Sequence, residues 1–150
     1  MDRYDSLRAW AKGSHPQEAA TELLIRAFNG RFAGPGNPWI HSGDDPWIEF
    51  EAIPSHIGGL SGGEKRFMLL VASLAGDGLV TLGDVLPGLD MDIMRLVLAA
   101  VSHAAGTHQG AEVTYGQDGQ PRITRSPGPL YPWPETAPKL RLVSSTDVDA

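Results

Sequence analysis

"LSGGEKRFMLLVASLAGDG", from Leu60 to Gly78, sets the character of the fold. Ser61 followed three residues later by Glu64 is a capping box: the Ser hydroxyl accepts the N–H of residue 64, and the Glu carboxylate accepts the N–H of residue 61. Behind it, Phe67, Leu70, Val71 and Leu74 recur at helical spacing. The segment therefore reads as a helix from about Gly62 to Ala75 with one stripe in a core.

Two helices are expected upstream. In "YDSLRAWAKG", Leu7, Trp10 and Ala11 share a face and Gly13 supplies the stop. In "SHPQEAATELLIRAFNG", Ser14 with Gln17 opens a helix and Pro16 fits its first turn. Ala20, Leu23, Leu24, Ala27 and Phe28 continue one face as far as Gly30. Downstream, "LVTL" from Leu79 to Leu82 is either a brief strand or a lead into "GDVLPGLD". A further helix starts near Asp90 and carries Ile93, Val97, Ala100, Val101 and Ala104 on one stripe until Gly106. Successive apolar helices favour an antiparallel pair.

The remaining segments are short. "FAGPGNPWIHSGDDP", from Phe32 to Pro46, is dense in turn formers and reads as a loop. "WIEFEAI", from Trp47 to Ile53, reads as a strand ended by Pro54. "QDGQ" supplies an Asp-Gly turn for a hairpin between Glu112 and Thr124. From 127 onward, Pro127, Pro129, Pro132, Pro134 and Pro138 favour extended backbone, and disorder is expected at the last residues. The expected fold is a single compact α+β domain over 1–126, mostly helical with about four helices and a C-terminal β-hairpin. A Pro-rich tail over 127–150 follows.

Composition narrows the function. The net charge of -6 leaves no basic face for counterion release, so nucleic acid is not expected as a partner. The absence of cysteine removes disulfides, thiolate metal sites and cysteine nucleophiles together. "FMLLVA" is too short to span a bilayer, and "MDRYDSLRAWAKGS" carries acidic residues where a signal peptide is basic. A soluble, cytoplasmic chain without membrane contact is expected.

"LSGGEKR" resembles the signature motif of ABC-type ATPases, in particular their SMC branch. There, Ser and Gly groups at a helix N-terminus contact a nucleotide phosphate across a dimer, where free N–H groups and the helix dipole favour an anion. The resemblance extends through "LVTLGDVLPGLD", in which Asp84 matches the Walker B Asp and Asp90 the D-loop Asp. It implies that Ser61, Gly62 and Gly63 could face a phosphate held by another subunit. The chain departs from the family at Val85, which replaces the catalytic Glu, and at Tyr115, aligned with the switch His. It also lacks a G-x-x-x-x-G-K-[ST] phosphate loop. ATP hydrolysis by this chain alone is not expected. The order of "SGGE", "VASLA" and "LGDVLPGLD" also resembles that of small uncharacterised proteins, which implies no activity.

Other chemistry finds little support in the spacing. His103 and His108 straddle the stop at Gly106, which keeps them off one helix face, so neither a metal nor another cofactor is expected. In "HSGDDPW", His41, Ser42, Asp44 and Asp45 share a loop, but Ser42 lacks a G-x-S-x-G elbow and the segment reads as a turn. Trp39, Trp47, Tyr131 and Trp133 all lie beside prolines, and rigid amphipathic rings of this kind anchor interfaces. The alternative is that "LYPWP" folds back over Trp39 or Trp47. The functional expectation is a non-enzymatic protein-interaction or regulatory module whose partner is another protein, with those four aromatics as anchors. Self-association stays open.

Overall fold

Asp2 starts the first helix. In the computed structural model, which describes residues 2–109, 111–125 and 128–135, its side chain accepts from Tyr4 N and Asp5 N. Helix α1 (Arg3–Ala11) buries Leu7 and Ala11. Ser14 then caps α2 (His15–Arg26), with Pro16 in the first turn as the sequence predicts. Helix α2 is the hub, packing on α1, α3 (Gly62–Leu74) and α5 (Met91–Ala104). Its apolar face is correspondingly wide: Ala19, Ala20, Leu23, Leu24 and Ile25 are all buried. Thr21 is also fully buried and satisfies its hydroxyl by donating to Gln17 O at 2.8 Å.

The expected run of α2 through Phe28 is corrected. The helix stops at Arg26, and Phe28, Asn29 and Gly30 take positive φ values of 51°, 57° and 76° inside a 3₁₀ segment, Ala27–Ala33. Left-handed backbone costs a bulky residue about 1–2 kcal/mol. The turn swings the Phe28 ring edge-on to Phe32 and Phe67 at 5.4 and 5.3 Å, contacts that offset this cost.

The capping box of α3 forms as read: Glu64 N–H donates to Ser61 Oγ at 3.3 Å, and Ser61 N–H donates to Glu64 Oε1 at 3.1 Å. Phe67, Met68, Leu70, Val71 and Ala72 are buried behind it. Leu79 to Leu82 forms no strand; a four-residue helix α4 (Leu82–Val85) follows, anchored by buried Val85. Asp90 then caps α5 through Ile93 N at 2.8 Å. On α5, Ile93, Val97 and Ala100 are buried as expected, but Val101 is 54% exposed.

Trp47–Ile53 is a strand only at its start. Strand β1 (Ile40–His41), inside what reads as a loop, pairs with β2 (Trp47–Ile48) in a two-residue antiparallel ladder, and Phe50–Ala52 turns into a 3₁₀ segment. That turn lets Phe50 enter the core beside Trp10. Strands β3 (Ala111–Tyr115) and β4 (Pro121–Arg125) form the expected hairpin, closed at Asp118-Gly119, where Gly119 has φ 73°. Val113, Tyr115 and Ile123 remain more than half exposed. The α+β class is thus as expected, with four longer helices, one short helix and two small strand pairs among the described residues. Residues 136–150, which include the expected disordered end, lie outside the described residues.

Candidate functional site

The anchors proposed from sequence separate. Trp39 is 2% exposed, tilted against Phe32, and donates its indole N–H to Phe32 O at 2.8 Å, so it belongs to the core. Trp47 is 40% exposed; it stacks on His41 at 4.2 Å and tilts toward Trp10 at 6.5 Å. His41 in turn bonds Glu49 at 2.6 Å rather than its loop neighbours Ser42, Asp44 and Asp45.

"LYPWP" does fold back, but onto α2 and α5 instead of the other tryptophans. Tyr131 N–H donates to Ser102 Oγ, Arg26 Nη1 donates to Pro134 O at 3.0 Å, and the Arg26 guanidinium lies 5.1 Å over the Trp133 ring. Tyr131 stays partly exposed while Trp133 packs against the core and tilts toward His103.

Ser61 and Gly62 are exposed at the start of α3, and Gly63 is half-buried. The carboxylate already present there belongs to Glu64. Its Ser61 hydrogen bonds and the Arg31 guanidinium, 2.6 Å away, hold its pKa below the usual carboxylate range. This helix end is neutralised from within. Arg66 lies against Gly62, and its Nε is buried without a hydrogen-bond partner among the described residues. Asp84 lies on α4 and Asp90 serves as the cap of α5.

The most apolar concavity among the described residues follows from how α3, α4 and α5 meet. Both α3 and α5 pack on α2 but contact each other little, with α4 beside α3. The space between them is a groove of about 350 Å³. Leu70 and Leu74 of α3, Leu82 of α4 with Leu86 just after it, and Met94 and Leu98 of α5 line it, with Ser73 as the hydroxyl-bearing wall residue among those described. Leu82 at 60%, Leu98 at 45% and Val101 at 54% exposure show that it opens to solvent. Exposed Leu79 and Met91 add apolar surface on neighbouring segments. Asp77 and Asp84 bracket Val80 and Leu82 along the chain, and neither is in an ion pair among the described residues.

A second constellation lies where the N-terminus of α2 meets the C-terminus of α5. His103 Nε2–H donates to Glu18 Oε1 at 2.9 Å, and Gly13 N–H donates to Glu18 Oε2 at 3.1 Å. Burial works against the Glu18 charge, but these bonds and the fields of His103 and His15 hold its pKa low. Contrary to the sequence expectation, His103 and His108 meet: their rings stack at 3.9 Å, and His15 is edge-on to His108 at 4.7 Å. Gly106 makes this possible. At φ 78° it turns the chain back after α5, and a Cβ there would stand 3.2 Å from His15 Nδ1.

The returning 3₁₀ turn, Thr107–Gln109, is pinned by Thr107 Oγ1, which donates to Ser102 O at 2.7 Å and contacts Ser102 Oγ at 2.6 Å. Burial, then the charges of His103 and His15, push the His108 pKa down. Its Nδ1 is buried without a hydrogen-bond partner among the described residues. Sequence spacing gave no sign of this cluster because its members meet only through the α2–α5 packing.

No family model, curated protein or solved structure matches the chain. Among the described residues, no helix is long and apolar enough to cross a membrane.

Proposed function

We propose that the chain is a non-enzymatic protein-interaction module whose groove between α3, α4 and α5 receives an amphipathic helix of a partner protein. The open apolar groove carries this reading. A small ligand needs a pocket that covers most of its surface. A trough with exposed walls suits a helix that lays down side chains at i, i+3 or i+4, and i+7. Asp77 and Asp84, with a net charge of -6, favour basic residues at the margins of that helix. Trp47 and Tyr131 do not line the groove and are not needed by this reading.

A Leu-rich, Lys-flanked amphipathic peptide of about four turns serves as the probe. Its fluorescence anisotropy should rise on adding the protein, and Leu98→Glu should weaken binding by about tenfold or more. A Glu-flanked peptide of the same apolar pattern should bind less tightly. Equal binding to Leu98→Glu and wild type would remove the groove as the docking site.

A further inference from the structure

The geometry points to a divalent-metal site of the zinc class, formed by His15, Glu18 and His108 where the N-terminus of α2 meets the turn after α5. One ligand atom from each of the three residues lies within 4.8 Å of the others, and all three side chains are partly buried. Two imidazoles and one carboxylate form a donor set that zinc accepts, leaving a fourth position for water.

Two independent features support a ligand here. The first is the orphaned ring nitrogen. Among the described residues, His108 Nδ1 is buried without a hydrogen-bond partner, an arrangement that costs free energy unless something satisfies that ring. The second is the support around the carboxylate. His103 and Gly13 each donate to a different Glu18 oxygen, which fixes the carboxylate while leaving lone pairs on both atoms. Hydrogen bonds of this kind orient metal-binding carboxylates.

The site also has a means of closing. A tetrahedral zinc with bonds of about 2.0–2.1 Å holds its donors roughly 3.4 Å apart, so the three side chains must draw together on binding. His108 sits on the short 3₁₀ turn that follows Gly106, so its donor belongs to a segment outside both helices. A bound ion would join α2 to the segment beyond α5, across about ninety residues of chain, and so act as a clasp.

Chelator-treated full-length protein, titrated with zinc sulfate by calorimetry, should bind one equivalent and melt at a higher temperature afterwards. Cobalt(II) in place of zinc should give the visible absorption of a four-coordinate N/O site. His15→Asn and His108→Asn should each weaken zinc binding at least tenfold and abolish the cobalt spectrum. The exposed His56→Asn should leave both unchanged. Circular dichroism establishes that each variant is folded; should His108→Asn unfold, His15→Asn alone decides. Absence of one-equivalent binding in the wild type, or binding by folded His15→Asn as tight as wild type, overturns the site.

Discussion

Glu22 lies between two guanidinium groups: Arg8 of α1 donates to both carboxylate oxygens, and Arg26, one turn along α2, donates to Oε2 at 2.7 Å. Burial raises the cost of its charge, yet the Arg8 and Arg26 hydrogen bonds hold its pKa below the usual range. The same pair holds Arg8 above its ordinary value, first through the Glu22 hydrogen bond. Arg26 also reaches Pro134, so this carboxylate is tied both to α1 and to the returning tail.

A lowered carboxylate pKa contributes stability that is present above the unfolded value and lost as pH falls through the folded one. The wild type should therefore lose stability as the pH drops below the ordinary carboxylate range. Glu22→Gln should cost about 1–2 kcal/mol at neutral pH, discounted for the partial exposure of its partners. Urea unfolding at pH 7 and pH 3.5 checks this: the gap between variant and wild type should shrink at the lower pH. A gap independent of pH would show that the carboxylate charge is not what stabilises.

Ser61→Ala removes half of the capping box and should cost about 1 kcal/mol. Adding MgATP should leave the melting temperature of wild type and variant unchanged, because Glu64 already supplies the negative charge at that helix end. Stabilisation of the wild type by ATP that Ser61→Ala lacks would instead make Ser61, Gly62 and Gly63 a phosphate contact.

Trp39 and Trp47, each preceded by a proline, should behave oppositely. Trp39→Ala, in the core with its indole N–H satisfied, should cost about 3–5 kcal/mol. Trp47→Ala, two fifths exposed, should cost about 1 kcal/mol. Guanidinium unfolding of both proteins tests the ranking, and equal losses would contradict the burial difference.

Much of the helical frame is legible in the sequence because its caps are local: Ser14, Ser61 and Asp90 each accept the N–H expected from chemistry three residues away. The Asp-Gly hairpin is legible for the same reason. The failures arise where tertiary contacts override local preference. Phe28 leaves the α2 stripe because its ring gains two aromatic partners, and of the two readings of Leu79–Leu82 the lead into the next segment is the one that holds.

The sites were less accessible still. Val101 fits a core stripe by spacing yet faces solvent beside the groove, since α3 and α5 do not close on each other. The apposition of His15, Glu18 and His108 depends on Gly106 folding the chain back, a turn whose direction no periodicity encodes.

Ser102 links the returning segment to the histidine turn. Its hydroxyl accepts Tyr131 N–H and meets Thr107, so Ser102→Ala leaves both without that partner. A loss of about 1–2 kcal/mol is expected in chemical unfolding, with faster hydrogen exchange at Tyr131 N–H. Unchanged exchange at Tyr131 would mean that the tail is held without this bond.

Methyl NMR of the Lys-flanked peptide complex tests the docking surface most directly. Methyl resonances of Leu82, Leu98 and Val101 should shift on titration, while those of Val113 and Ile123 on the exposed hairpin should stay in place. Shifts confined to Val113 and Ile123, or none in the groove at saturating peptide, would contradict docking between α3, α4 and α5.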